Sequence, residues 1–207
     1  MRPTNTPRWI LLLELIGLFV LLPILYWADL IPFHKILPLT GLFCYCFFFV
    51  VRELRFAETI HGSRKVCKTI FFQFILAVIL IICILAYYDS PLFVDVIADK
   101  KLLTMIILYP VLSALPQEII FRKFFFARYS TLIPGKWPII IVNVILFAFA
   151  HIYFANWVVL VFTLVGGFLF ASTYLQTKSL LAVTIEHTLY GCFVLVSGLS
   201  PYFYKAF

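Results

Sequence analysis

Among the ionisable side chains within the long apolar stretches of the sequence, three are candidates for catalysis. They are Glu118, His151 and His187. Because a charged or titratable group inside a membrane helix is costly, each is a functional candidate by default. A carboxylate and two imidazoles can activate a water molecule and move protons. The same three groups with an open fourth position are also a ligand set for catalytic zinc.

The neighbours of these residues allow a structural interpretation as well as a catalytic one. Arg122 follows Glu118 by four residues, so the two share a helix face and can form an ion pair that only locks the helix. A single buried histidine is more often a hydrogen-bonded core residue than a catalyst, but two histidines with a carboxylate are a rarer set. Glu14 stands alone in its apolar stretch. Gln73 and Asn143 are neutral and are expected to join helices by hydrogen bonds.

The composition places this chemistry in a membrane. Of 207 residues, 64% are hydrophobic and 12% charged, whereas about a quarter of a soluble domain is charged. The net charge of +7 does not indicate a nucleic-acid partner, because the basic residues lie in short loops between apolar stretches. The sequence therefore predicts an all-α, polytopic bundle of transmembrane helices, with lipid as its surroundings and residues 1–207 as one integral membrane domain.

Seven apolar stretches approach the roughly 20 residues that a spanning helix needs. They cover residues 9–27, 36–51, 66–88, 102–126, 139–154, 157–174 and 179–196. The second, fifth and sixth are short, so the prediction is about seven helices. The first is interpreted as a retained helix rather than a signal peptide, because no small-residue cleavage site follows it. The five cysteines have no CxxC or ligand spacing, and no disulfide is expected.

The loops give the bundle a direction. With a cytoplasmic N-terminus, twelve of the sixteen Lys and Arg residues lie on the cytoplasmic side, leaving four on the other. This bias predicts a multi-pass protein of the plasma (inner) membrane with its N-terminus in the cytoplasm. Counted from the cytoplasmic helix ends at about 1.5 Å per residue, Glu118, His151 and His187 lie roughly 12 to 18 Å deep, in a similar layer.

Three short segments resemble the motifs of one known family. The CAAX prenyl protease and bacteriocin-processing family of intramembrane proteases, in its type II CAAX endopeptidase group, has Glu-Glu-x-x-x-Arg, then Phe-x-x-x-His, then His-x-x-x-Asn or Asp on successive helices. The similar segments here read QEIIFR at 117–122, FAFAH at 147–151 and HTLYG at 187–191. The resemblance covers residues 101–197, which we expect to form a CAAX protease-like core.

The resemblance implies an intramembrane endopeptidase that hydrolyses a peptide bond of a membrane-associated protein or peptide, including lipidated ones. Glu118 would activate the water, His151 would help to position it, and His187 would donate to the oxyanion, with Arg122 in support. Two positions depart from the family. Gln117 stands where the glutamate usually assigned as the base is expected, and Gly191 stands where Asn or Asp would help to hold the oxyanion. Either Glu118 is the base, or activity is reduced or lost.

Three functions thus stay open. Beside the protease, the two departures allow a catalytically inactive relative that acts as a membrane binding or scaffold protein. A small transporter could use the same buried groups, but no continuous polar path leads to the outer face. No cofactor is expected, because no paired-histidine helix such as HExxH is present. If a divalent metal such as zinc is used, its ligands would be Glu118, His151 and His187.

Overall fold

The computed structural model describes residues 6–31, 36–54 and 64–204. Its helices are α1 (Arg8–Trp27), α2 (Ile36–Leu54), α3 (Arg64–Tyr87), α4 (Lys100–Tyr129), α5 (Lys136–Phe149), α6 (Trp157–Thr177), α7 (Leu180–Val196) and the short α8 (Ser200–Tyr204). Within the described ranges there are no strands, only an isolated bridge between Phe93 and Ser197. The predicted all-α bundle of about seven long helices is confirmed.

The surface of the bundle is that of a membrane protein. Five helices of the described part are long and apolar enough to cross a membrane, namely α1, α4, α6, most of α3, and α5 with the turn that follows it. The apolar parts of α2 and α7 are shorter. Large apolar side chains face outward, for example Phe72 on α3 at 69% exposure and Val111 on α4 at 62%. Contiguous apolar surface of this kind requires lipid rather than water as its solvent.

Helix α4 lies among several other helices and carries the first sequence motif. It packs on α2, α5 and α7. Two prolines, Pro110 and Pro116, lie inside it, and a proline in a helix removes a hydrogen bond and clashes with the carbonyl four residues earlier. The helix contains two π-helical segments, Pro110–Ala114 and Ile119–Phe124. Such segments occur frequently at functional sites, and the second one contains Arg122.

The chain before α4 is attached to the end of α7, which fixes these two helices relative to each other. The backbone N–H of Val94 donates to the carbonyl of Val196 at 3.0 Å, and that of Gly198 donates to the carbonyl of Leu92 at 3.1 Å. Glycine is needed at 198 because a β-carbon there would overlap the carbonyl of Pro91. The two helices that carry Glu118 and His187 are therefore held together at one end.

The fifth helix ends earlier than the predicted limit of residue 154. Helix α5 stops at Phe149, and His151 lies in the turn before a single 3-10 turn, Ile152–Phe154. The side chain of Asn156 accepts the N–H of Val158 at 2.8 Å and caps α6, so the chain must reverse within a few residues. The sequence predicts the reversal between residues 154 and 157 but not the earlier end of α5. His151 is thus a turn residue rather than a helix-interior one.

An ion pair ties α1 to the C-terminal end of α4. Arg128 donates from Nε and Nη2 to the two oxygens of Glu14, at 2.9 and 2.7 Å, and the hydroxyl of Tyr129 donates to Glu14 at 3.0 Å. Both charged side chains are largely buried. Glu14, which looked isolated in the sequence, is therefore a structural partner of a residue 114 positions away.

Candidate active site

Glu118 lies on α4 with no exposed surface. One carboxylate oxygen, Oε2, is 3.2 Å from Nε of Arg122, one turn further along the same helix. The other, Oε1, is 2.7 Å from Nδ1 of His187 on α7. As the carboxylate partner of Arg122, Glu118 only accepts hydrogen bonds, so Nδ1 of His187 carries the proton and donates. Two of the three predicted catalytic residues are thus in direct contact.

Arg122 connects Glu118 to two further helices. Its guanidinium is fully buried and donates from Nη1 to Oδ1 of Asn143 on α5 at 2.9 Å, while Nη2 reaches the carbonyl of Gly167 on α6 at 3.5 Å. It also lies 4.8 Å from the ring centre of Phe147. The pairing expected from the four-residue spacing is present, and it is one part of a larger network.

Asn143 completes this network on the α5 side. Besides accepting from Arg122, its amide donates from Nδ2 to the carbonyl of Phe121 at 2.6 Å. Phe121 lies in the second π-helical segment of α4. The buried amide therefore joins the two helices through hydrogen bonds, as predicted from the sequence.

His151 lies beside the Glu118–His187 pair. Its Nδ1 is 2.8 Å from the carbonyl oxygen of Phe147. Because a carbonyl only accepts, Nδ1 donates, and Nε2 of the neutral ring keeps a free lone pair. Both histidines contact the ring of Phe147, with ring centres at 5.0 Å for His151 and 5.9 Å for His187. The two candidate histidines thus lie around the same residue of α5.

The two positions that depart from the family motifs have defined surroundings. Gln117 donates from Nε2 to the hydroxyl of Ser113 at 2.9 Å. Gly191 lies against the ring of Tyr109, and a β-carbon at 191 would overlap that ring. The hydroxyl of Tyr109 is 3.1 Å from Nε2 of His187. The Tyr109 ring therefore occupies the space that a side chain at position 191 would fill.

Two residues of the site were not singled out from the sequence. Tyr109 looks like any aromatic residue of an apolar helix, although its spacing of four from Ser113 and eight from Gln117 places the three on one helix face. Glu186 directly precedes His187 in the sequence. Its side chain is fully buried, and Arg122 interacts electrostatically with it as well as with Glu118. A second carboxylate therefore lies close to the first.

The metal-binding alternative concerns the same side chains. Across the described ranges, no three His, Cys, Asp or Glu side chains form a group that could hold a metal ion. Glu118 instead contacts Arg122 and His187, and Nδ1 of His151 is bonded to a backbone carbonyl. All five cysteines are free thiols. The absence of a cofactor stays a prediction.

The fold and the site together define a polytopic helical membrane protein with a buried Glu–Arg–His centre. Residues 99–193 match the family described as Type II CAAX prenyl endopeptidase Rce1-like, which confirms the resemblance drawn from the three motifs. Over these residues the chain is similar to the Rce1-like family, and the match includes every candidate site residue from Tyr109 to Gly191. No curated protein and no solved structure matches the chain. The family supports a CAAX-type intramembrane protease function in general terms.

Proposed function

We propose that this protein is an intramembrane endopeptidase that hydrolyses a peptide bond of a membrane-associated protein or peptide at a centre formed by Glu118, His151 and His187. The observation that carries the proposal is the 2.7 Å contact between the buried carboxylate of Glu118 and Nδ1 of His187. A carboxylate that accepts from one imidazole nitrogen fixes the tautomer and leaves the other nitrogen as a base. This pair lies within the segment that matches the Rce1-like family.

The hydrogen bonds favour His187 as the group that takes the proton from water. Both oxygens of Glu118 are already engaged, by Arg122 and by His187. Nε2 of His187 accepts a proton as the water oxygen attacks the carbonyl carbon, and Glu118 stabilises the imidazolium that forms. When the carbon–nitrogen bond breaks, His187 returns that proton to the leaving amine. In this mechanism the base is His187, whereas the sequence favoured Glu118.

To His151 we assign the orientation of the water. Its Nε2 has a free lone pair, because Nδ1 donates to the carbonyl of Phe147. A water that donates one hydrogen bond to each histidine presents an oxygen lone pair to the substrate. His151 is partly exposed and His187 is 6% exposed, whereas Glu118 has no exposed surface. The substrate therefore approaches from the side of the histidines.

The substrate class that we propose is a C-terminal segment with a prenylated cysteine, in line with the description of the family. The bundle is apolar over most of its outer surface, so a lipidated segment can reach the site from the bilayer. We further propose that the protein lies in the plasma (inner) membrane with its N-terminus in the cytoplasm, which rests on the distribution of basic residues.

Replacing His151 with phenylalanine tests the proposed function. Phenylalanine keeps the ring contacts with Phe147 and Phe154 but cannot accept a hydrogen bond from water, so we expect the cleavage rate to fall by about a hundredfold or more. The assay is mass spectrometry of a peptide ending in S-farnesyl cysteine and three further residues, incubated with purified protein in liposomes. The same peptide without the farnesyl group is run in parallel.

Tyr87→Phe on the outer end of α3, an 82% exposed position, is the matched control and should cleave at the wild-type rate. A wild-type protein that cleaves neither peptide would overturn the proposed function. Wild-type activity in the His151→Phe protein would instead show that His151 has no part in the reaction.

We also propose that the reaction needs no metal. The support for this proposal is that the two carboxylate oxygens of Glu118 are in contact with Arg122 and His187. Incubation with EDTA or 1,10-phenanthroline is therefore expected to leave the cleavage rate of the wild-type protein unchanged. Loss of activity in the chelator that returns on addition of zinc would contradict this expectation.

A second candidate is a catalytically inactive relative that keeps the fold and binds membrane-associated peptides. Gln117 and Gly191 favour it, because the first lacks a carboxylate and the second lacks a side chain. This candidate predicts that the farnesylated peptide binds to the liposome-embedded protein without being cleaved. The peptide assay above distinguishes the two functions.

A further inference from the structure

We propose that Tyr109 supplies the hydroxyl group that holds the oxyanion in this protein, in the space where residue 191 has no side chain. The inference rests on the proposed peptidase function and adds a catalytic donor to it. It starts from two observations. The Tyr109 hydroxyl is 3.1 Å from Nε2 of His187, and the Tyr109 ring fills the space beside Gly191.

The contact between Tyr109 and Gly191 makes the two positions depend on each other. A β-carbon at 191 would overlap the Tyr109 ring, so this ring and a side chain at 191 exclude one another. Residue 191 lies one helical turn after His187 on α7, and a side chain there would point to the same part of the site. Only one of the two residues can therefore offer a donor next to His187, and in this chain it is Tyr109.

A row of polar residues on α4 orients the Tyr109 hydroxyl. Ser113 and Gln117 follow Tyr109 by four and eight residues on the same face of α4, and Gln117 donates from Nε2 to the Ser113 oxygen at 2.9 Å. The Tyr109 proton is directed to Nε2 of His187, because that nitrogen carries no proton when Nδ1 donates to Glu118. An ionised glutamate at 117 has no proton to donate. Glutamine at this position therefore fits a tyrosine donor.

The same hydroxyl is available when the reaction begins. Once the attacking water occupies Nε2 of His187, the Tyr109 proton is free to be donated to the substrate carbonyl oxygen as negative charge develops there. The contribution is a hydrogen bond alone, and the O–H bond of Tyr109 does not break. A fixed donor in a site without bulk water stabilises such a charge strongly.

Tyr109→Phe tests the inference, because it removes the hydroxyl and keeps the ring beside Gly191. The expected result with the farnesylated peptide is a kcat lowered by about 10²- to 10³-fold. KM is expected to change little, since the donor acts on charge that exists only in the transition state. The melting temperature in detergent should stay near that of the wild-type protein. Tyr88→Phe, a 72% exposed position, is the matched control with unchanged kcat.

A double variant provides a gain of function. Tyr109→Ala empties the space beside residue 191, and Gly191→Asn then places an amide donor in it. The Tyr109→Ala, Gly191→Asn protein is expected to cleave at least about tenfold faster than Tyr109→Ala alone, since a donor bond to a developing charge is worth more than one such factor. Gly191→Asn without the tyrosine change should be slower than wild type, because the two side chains collide.

Several outcomes would overturn the inference. They are a wild-type kcat in Tyr109→Phe, a loss confined to KM, or a double variant no faster than Tyr109→Ala while both are folded. In each case the wild-type protein still cleaves the peptide, and the proposed function stands. An inactive wild-type protein would overturn the proposed function itself and this inference with it.

Discussion

Replacing Glu118 with glutamine is expected to lower kcat by about 10³- to 10⁴-fold, the size of effect seen when an amide replaces the carboxylate behind a catalytic histidine. The 2.7 Å hydrogen bond from His187 fixes Nδ1 as the protonated nitrogen. A glutamine can donate in the opposite sense and so stabilise the tautomer in which Nε2 is protonated and unable to accept from water. It also lacks the negative charge that stabilises the imidazolium.

The measurement is the rate of hydrolysis of the farnesylated peptide under single-turnover conditions, which isolates the chemical step. Glu186→Gln is the matched control, because Glu186 is an equally buried carboxylate next to Arg122, whereas the hydrogen bond to Nδ1 of His187 is made by Glu118. Its loss should be smaller than that of Glu118→Gln. Equal losses in the two variants would contradict the role given to Glu118.

The parts of the fold that sequence could predict are those that depend on local composition. Apolar stretches separated by basic loops gave the seven long helices, because each stretch must satisfy its own backbone in lipid. The pairing of Glu118 with Arg122 followed from their spacing on one helix. The direct contact between Glu118 and His187 agrees with the similar depth expected for both.

The parts that could not be predicted depend on packing between distant segments. Glu14 had no visible partner, because Arg128 lies 114 residues further along the chain. The end of α5 at Phe149 was not predicted, because every residue around it is compatible with a helix. Asn156, which caps α6, lies on the far side of the turn. Tyr109 became visible only through its contact with Gly191.

Gln117 and Gly191 gain a common explanation from this packing. In the sequence they are two separate departures from the family motifs, and each on its own indicates loss of activity. In the structure Gln117 bonds to Ser113 on the helix face that also carries Tyr109, and Gly191 contacts Tyr109 directly. When Tyr109 replaces a side chain at position 191 as the oxyanion donor, both motif positions change together. The Glu118–His187 pair stays intact.

Arg122→Met is expected to destabilise the protein by about 3 to 5 kcal/mol, because it leaves the carboxylate of Glu118 buried without its ionic partner. The fully buried guanidinium also contacts Asn143 and the carbonyl of Gly167, so three helices lose a shared partner. The measurement is reversible unfolding in mixed micelles, followed by circular dichroism. Arg52→Met on α2, an exposed position, should change the stability by no more than about 0.5 kcal/mol.

Combining Arg122→Met with Glu118→Gln separates the structural role of the ion pair from its catalytic one. The double variant buries no charge at these two positions, and uncharged groups of similar volume often replace a buried ion pair at little cost. We therefore expect it to recover a large part of the stability lost in Arg122→Met and to remain unable to cleave the peptide. A double variant as unstable as Arg122→Met would show that the loss comes from Asn143 and Gly167. One that is folded and cleaves would contradict the assignment of Glu118 to the reaction.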